Sequence, residues 1–165
     1  MVHILRIREL AHDDLKRLSK FMISAYYDYP LATWFEEEPT AQQIGEIFER
    51  KLHGIASHRL IDLVTDDNGV IAAECEVVKA EFDMGIVGVL VERGYRGRSV
   101  GGELLVKAME EAVRIGMTRF TAEVDEENAD AMKFFSGLRF VPIGYRDVEH
   151  KGIGRRIAIL QRGIS

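Results

Sequence analysis

The stretch Val89–Gly102, VLVERGYRGRSVGG, runs an apolar, β-prone segment directly into a turn carrying two arginines and two glycines, and then into a helix. That layout suits a diphosphate. The first N–H groups of a helix are unpaired, the macrodipole is positive at that end, and glycines let an anion approach the backbone closely. Arg96 and Arg98 add full positive charges. Spacing narrows the ligand, because dinucleotide binding needs GxGxxG and an ATP or GTP phosphate loop needs GxxxxGK[ST], and neither occurs in the chain.

Working outward from this turn, Met84–Val91 reads as the strand that enters it. The helix that leaves it carries Leu104, Leu105, Ala108, Met109, Ala112 and Val113 on one face until Gly116. Upstream, Ile4 to Arg8 alternates as a half-buried strand, and Leu15, Leu18, Phe21, Met22 and Ala25 mark a first helix. Ile44, Ile47, Phe48 and Leu52 mark a second, with Gly54 as its expected end. Leu60–Thr65 and Val70–Val78 form a hairpin across Asp66, Asp67, Asn68 and Gly69. Downstream, Phe120–Val124 is a strand and Asn128 to Phe135 a short helix stopped at Gly137. Val141–Tyr145 and Arg156–Leu160 pair as the last strands, with Gly152 and Gly154 in the turn.

A length of 165 residues with 47% hydrophobic content suits one domain spanning 1–165. The net charge of −5 argues against a nucleic-acid partner. Cys75 is the only cysteine, which excludes an intramolecular disulfide and fits a reducing, cytoplasmic setting. The longest apolar run, Ile86 to Val91, is too short to cross a bilayer, so no membrane partner is expected. Five histidines show no metal-ligand spacing and no metal is expected. There is no GxSxG elbow, and Cys75 lies in an apolar strand where a thiol is normally inert, so no acyl-enzyme nucleophile is expected.

Arg96, Gly97, Arg98, Ser99, Val100 and Gly101 resemble the [QR]xxGx[GA] signature of the Gcn5-related N-acetyltransferases (GNAT), with Ser99 in place of the middle glycine. An ordered set downstream carries the resemblance further: Ala122, Glu123 and Val124 at the family's LEV, then Asn128, Ala131, Phe134 and Phe135 at its FY, and Arg139 and Phe140 at its GF. The order of elements is similar along nearly the whole chain. The resemblance implies an α/β (α+β) acyl-CoA N-acyltransferase fold with a mixed, mostly antiparallel central sheet flanked by helices.

It also implies acetyl-CoA as cosubstrate. The pyrophosphate would lie on Arg96 to Gly102, and the pantetheine arm would pair with the splayed strand at Val89, Leu90 and Val91, one of whose N–H groups polarises the thioester. Asn128 is either a cofactor contact or an ordinary helix N-cap. Glu123 matches the catalytic base of ribosomal-protein alanine acetyltransferases, against the alternative of a solvent-facing or arginine-paired strand residue. Their acid tyrosine, twelve residues later, is Phe135, which cannot donate a proton. Tyr145, Tyr26, Tyr27 and Tyr29 are the candidate substitute donors, each against the alternative of a packing or rim tyrosine. Gly85 stands where histone-type members carry a glutamate, with Asp83 expected on the same strand face.

Acceptors implied are small-molecule amines or peptide N-termini, entering past Asp28, Trp34 and Glu36 to Glu38, with dimerisation through the last strands expected of the family. Glu74 and Glu76 share a strand face, lining the amine channel or facing water, with water the expected fate. The rival reading, favoured by Phe135, is a non-catalytic acyl-CoA binding or regulatory module.

Overall fold

The computed structural model describes residues 5–28, 33 and 35–163. Tyr29 and Trp34 lie outside the described residues. Seven strands, β1 (Arg6–Glu9), β2 (Leu60–Asp67), β3 (Val70–Lys79), β4 (Met84–Val91), β5 (Arg119–Asp125), β6 (Val141–His150) and β7 (Ile153–Gly163), form one sheet in the order β1-β2-β3-β4-β5-β7-β6. Every neighbouring pair is antiparallel except β4 and β5.

Helices cover both faces. Leu18, Phe21 and Met22 of α1 (Leu15–Asp28) and Ile44 and Phe48 of α2 (Ala41–Ala56) bury one face with Val64 and Ile71. Leu104, Leu105, Ala108 and Ala112 of α3 (Val100–Arg114), with Phe135 of α4 (Ala129–Gly137), bury the other. Among the described residues no helix is long and apolar enough to cross a membrane.

The first strand runs Arg6–Glu9 where the sequence suggests Ile4 to Arg8, with Ile4 outside the described residues, the last three strands run longer than read, and four further boundaries differ for a local reason. Gly54 lies inside α2, where a Cβ would stand 2.9 Å from that of Leu60, so it serves close packing on β2 rather than a helix stop. Gly137 ends within α4, and the left-handed turn falls on Arg139 (φ 67°) after the cap Leu138. The first hairpin turns on Asn68 and Gly69 alone (φ 50° and 87°), a two-residue turn whose twist matches the strands, so Asp66 and Asp67 belong to β2. The last hairpin is longer than expected, turning on Lys151 and Gly152 while Gly154 pairs with Glu149.

Buried Asp14 anchors β1 to the start of α1. Arg8 donates two hydrogen bonds to it, at 2.7 and 2.8 Å, and a third to Asp66. Burial pushes the Asp14 carboxyl up, but Arg8 and the Ala11 N–H outweigh it and hold the group below the usual carboxylate value.

Gly85 has no room for a side chain. A Cβ there would lie 2.7 Å from Met117 Sδ and 2.7 Å from Val77 Cγ1. A glutamate at this position would enter the core under α3, not the opposite sheet face. Gly85→Ala should cost about 1–3 kcal/mol by overpacking, measured by urea unfolding. Asp83 precedes β4 and takes Thr118 and Arg119 as partners instead of continuing the strand face.

Candidate active site

The sheet splits in its middle. β4 pairs with β5 only from Met84 to Val87, against Arg119 to Ala122, and then the two strands part. Gly88 to Val91 continue to pair with β3, and Glu123 to Asp125 with β7, so a wedge opens between two half-sheets. A cavity of about 520 Å³ lies on its β4 side, bounded by β4, the arginine turn and the starts of α3 and α4, while Glu123 on β5 does not line it.

Val89, Leu90, Val91, Arg96, Gly97, Ser99, Val100, Gly101, Gly102, Asn128 and Phe135 all line this cavity. Arg98 does not, and lies over the Tyr95 ring at 5.7 Å. Ala131 and Phe134, which carried the resemblance without a cofactor role, also line it, as do Tyr95 and Asp130, which were not singled out by sequence. Gly97 (φ 75°) and Ser99 (φ 60°) both take left-handed backbone, and Ser99 sits at the N-cap of α3. Glycine suits such positions, so the serine is held there at a strain cost by the surrounding turn.

Arg96 serves the turn twice: its Nε donates to the Val91 carbonyl at 3.1 Å and its guanidinium pairs with Asp28. Asp28 also pairs with Arg93 at 2.8 Å. Asp28, expected in the acceptor lining, thus ties the end of α1 to the arginine turn. Asn128 caps α4, accepting from the Ala131 N–H at 3.1 Å, and lines the cavity as well.

Glu123 lies on β5 just past the last β4 partner and is gripped by Arg146, whose Nε and Nη2 donate to separate carboxylate oxygens at 3.0 and 2.8 Å. Phe135 is 6% exposed, edge-on to Phe134 and Phe140 at 5.1 Å each. Tyr27 O–H donates to Glu38 at 2.6 Å, Tyr26 O–H takes a hydrogen bond from Lys151, and Arg156 covers the Tyr145 ring at 4.1 Å. Cys75 is fully buried and its thiol is pushed well up by burial and the nearby carboxylates, so it holds its proton.

Under α2 the sheet carries a charged cluster that contradicts the solvent fate expected for Glu74 and Glu76. Lys51 Nζ lies 2.9 Å from Asp62 Oδ2, 3.1 Å from Glu74 Oε2 and 2.6 Å from Glu76 Oε2. Burial lowers the affinity of Lys51 for its proton, yet the three carboxylates outweigh it and raise its pKa well above the ordinary value. Burial, then the charge of Glu74, pushes the Asp62 carboxyl far up.

Among curated proteins no sequence matches the chain. Solved structures do match in fold. An N-acetyltransferase from Staphylococcus aureus Mu50 superposes with a TM-score of 0.83 at 17% identity, over 97% of this chain and 98% of that one. A ribosomal-protein-alanine N-acetyltransferase from Brucella melitensis gives 0.83 at 19%, over 97% and 100%. The yncA protein of Salmonella typhimurium, solved with its cofactor acetyl-CoA, gives 0.82 at 18%, over 98% and 95%. The sequence profile described as "Acetyltransferase (GNAT) family" matches residues 19–140, which takes in α1 through the strand-splitting wedge to Phe140, and the chain belongs to that family.

Proposed function

We propose that the protein is an acetyl-CoA dependent N-acetyltransferase that moves the acetyl group directly to a primary amine of a small molecule or a peptide N-terminus. The observation that carries this is the wedge: an unpaired β4 edge leads into a turn with two left-handed residues at a helix start. Acetyl-CoA is the family's acyl donor. In this reading its diphosphate lies on the N–H groups of Gly97 to Gly102 with Arg96, and its pantetheine arm runs along Val89 to Val91. A wider groove of about 840 Å³ shares Ser99, Gly102, Asp130 and Phe134 with the wedge and adds Lys107 and Lys133 beside Glu103 and Glu110, so the nucleotide end carries charges of both signs.

The acyl carbon would sit at the closed end of the wedge, near Gly88. There a β4 N–H polarises the thioester carbonyl, the amine attacks, and the thiol leaves without an acyl-enzyme. The buried, protonated Cys75 supports direct transfer. No tyrosine acid stands at 135, but a thiol with an ordinary pKa near 8.5 is a tolerable leaving group.

Glu123, just past the last β4 partner and held by Arg146, is proposed to steer the incoming ammonium. Glu123→Gln should then lower kcat/KM by about twofold to fivefold, since one exposed, salt-screened charge contact of about 0.2–1 kcal/mol is lost. Unchanged turnover would remove it from the mechanism. The site draws on elements from α1 to β7, so the proposal treats 1–165 as one domain, in the cytoplasm where acetyl-CoA and a reduced thiol coexist. Exposed Val141, Ile143 and Tyr145 on the outer strand β6 are where a homodimer contact would form.

The test is thiol release from acetyl-CoA against polyamines, aminosugars, amino acids and short peptides, beside a calorimetric titration of the cofactor. Release with one amine class supports the enzyme and names its acceptor. Binding with no release favours the second reading, a non-catalytic acyl-CoA module, which the burial of Phe135 and the Arg146 grip on Glu123 would explain.

A further inference from the structure

The register sets a row of carboxylates across the sheet where it splits. Asp62 stands opposite Glu76, and Glu76 opposite Gly88. On the parallel side Val87 is the last partner, against Ala122, so Gly88 and Glu123 are the first residues beyond the contact. Val87 and Ala122 both point into the core under α3, so strand alternation puts Gly88 and Glu123 on the opposite face. Glu76 shares that face, because a Cβ on Gly88 would stand 3.4 Å from its Cγ and 3.6 Å from its Oε1. The missing side chain at 88 leaves the Glu76 carboxylate beside the β4 backbone at the closed end of the wedge.

The two carboxylates at that point differ in what they have left to give. Both oxygens of Glu123 are taken by Arg146. Glu76 accepts from Lys51 through Oε2, and its Oε1 is the oxygen turned toward Gly88. Its side chain is 38% exposed, whereas those of Asp62 and Glu74 are 0% and 9% exposed.

Charge in the cluster points the same way. Asp62 Oδ1 and Glu74 Oε2 are buried with no donor in hydrogen-bonding geometry among the described residues. One proton held between the two carboxyls relieves both, in keeping with the raised Asp62. Lys51 then balances the remaining charge of that pair, and the charge of Glu76 is left over at the opening.

We infer that Glu76 is a catalytic residue, seating the acceptor's ammonium and taking its first proton, and that Lys51 is the positioning residue that holds it at the wedge. The inference rests on the acetyltransferase reading. Glu76 Oε1 removes one proton from the ammonium, and the freed lone pair attacks the thioester carbonyl carbon. The C–N bond forms, the tetrahedral centre collapses, and the C–S bond breaks with its electron pair going to sulfur. The second nitrogen proton passes to the thiolate, giving amide and free thiol, and Glu76 returns its proton to solvent.

The test compares Glu76→Gln with the parent chain on the best acceptor from the panel, with acetyl-CoA affinity followed by calorimetry. Loss of a general base predicts a fall in kcat/KM of about a hundredfold to ten-thousandfold with cofactor affinity unchanged. The acid limb of the pH profile should vanish in the variant, and Glu76→Asp should restore part of the rate. Lys51→Arg, which keeps the charge, should shift the midpoint of that limb. Full turnover by Glu76→Gln would overturn the assignment while leaving the acetyltransferase reading intact. A parent chain that neither binds acetyl-CoA nor releases thiol would overturn the reading first and the assignment with it.

Discussion

Lys51→Met should unfold at markedly lower denaturant than the parent chain. Removing one partner of a buried ion pair leaves uncompensated charge, which costs about 3–5 kcal/mol, and here one lysine answers three carboxylates. At about 2–4 °C per kcal/mol for a chain of this size, the melting temperature should fall by about 10 °C. The effect has a pH signature whose sign follows from the groups involved. Asp62 is raised in the folded state, so its contribution to stability is present below its ordinary value and is lost as pH rises through its folded value. Lys51 is raised too, so its contribution is present below the ordinary lysine value and is lost as pH rises through its own folded value. Without the lysine, the carboxylates gain further from protonation. The deficit of Lys51→Met should therefore be largest near neutrality and shrink on acidification, read as paired urea titrations at several pH values. A deficit independent of pH would assign the loss to the packing of the lysine stem instead.

Gly101→Glu should nearly abolish acetyl-CoA binding. Gly101 is buried at the start of α3, and a Cβ there would stand 3.0 Å from Val91 Cγ2 and 3.4 Å from Phe134 Cε2. A longer side chain must leave this contact toward the cavity, carrying a carboxylate to the expected place of the diphosphate. Two like charges about 4 Å apart near a protein surface repel by about 4 kcal/mol, which is about a thousandfold in affinity. Calorimetry with acetyl-CoA reads the loss, and a thermal melt of the variant separates it from misfolding. Gly101→Ala isolates the steric part and should bind more weakly than the parent chain but far better than the glutamate variant. Equal affinity in all three would remove the turn from the cofactor site.

What the sequence disclosed depended on distance along the chain. The cavity lining was legible because β4, the turn and the start of α3 are contiguous, so local spacing already places Val89 to Gly102 together. The bounds Met84–Val91 agree with the reading at both ends, since Gly85 and Gly88 interrupt but do not end the apolar run. The Lys51 cluster was not legible, because its members come from α2, β2 and β3 and meet only in the folded state. A trace was present: Asp62, Glu74 and Glu76 interrupt otherwise apolar strands, and a charge inside such a run asks for a buried partner. The Asp28 pair with Arg96 spans 68 residues and had no local sign at all. Glu123 was placed correctly on its strand and an arginine partner was one of its readings, but which arginine was not legible, because Arg146 comes from a strand two positions away in the sheet.

The parting of β4 from β5 gives the sheet an edge in its own interior. Exposed strand edges invite pairing with other chains and, through that, aggregation. This one is guarded by shape. An intruding polypeptide strand needs about 4.8 Å to each neighbour, or about 10 Å between β4 and β5 along its whole length. The gap starts from full pairing at Val87 and Ala122 and widens only beyond them. A slender, unbranched chain can follow the taper to its closed end, whereas a peptide backbone with side chains on both faces stalls at the mouth. The same taper that admits one kind of guest therefore protects the folded protein from copies of itself, without the charges, prolines or bulges that outer strands use for that purpose.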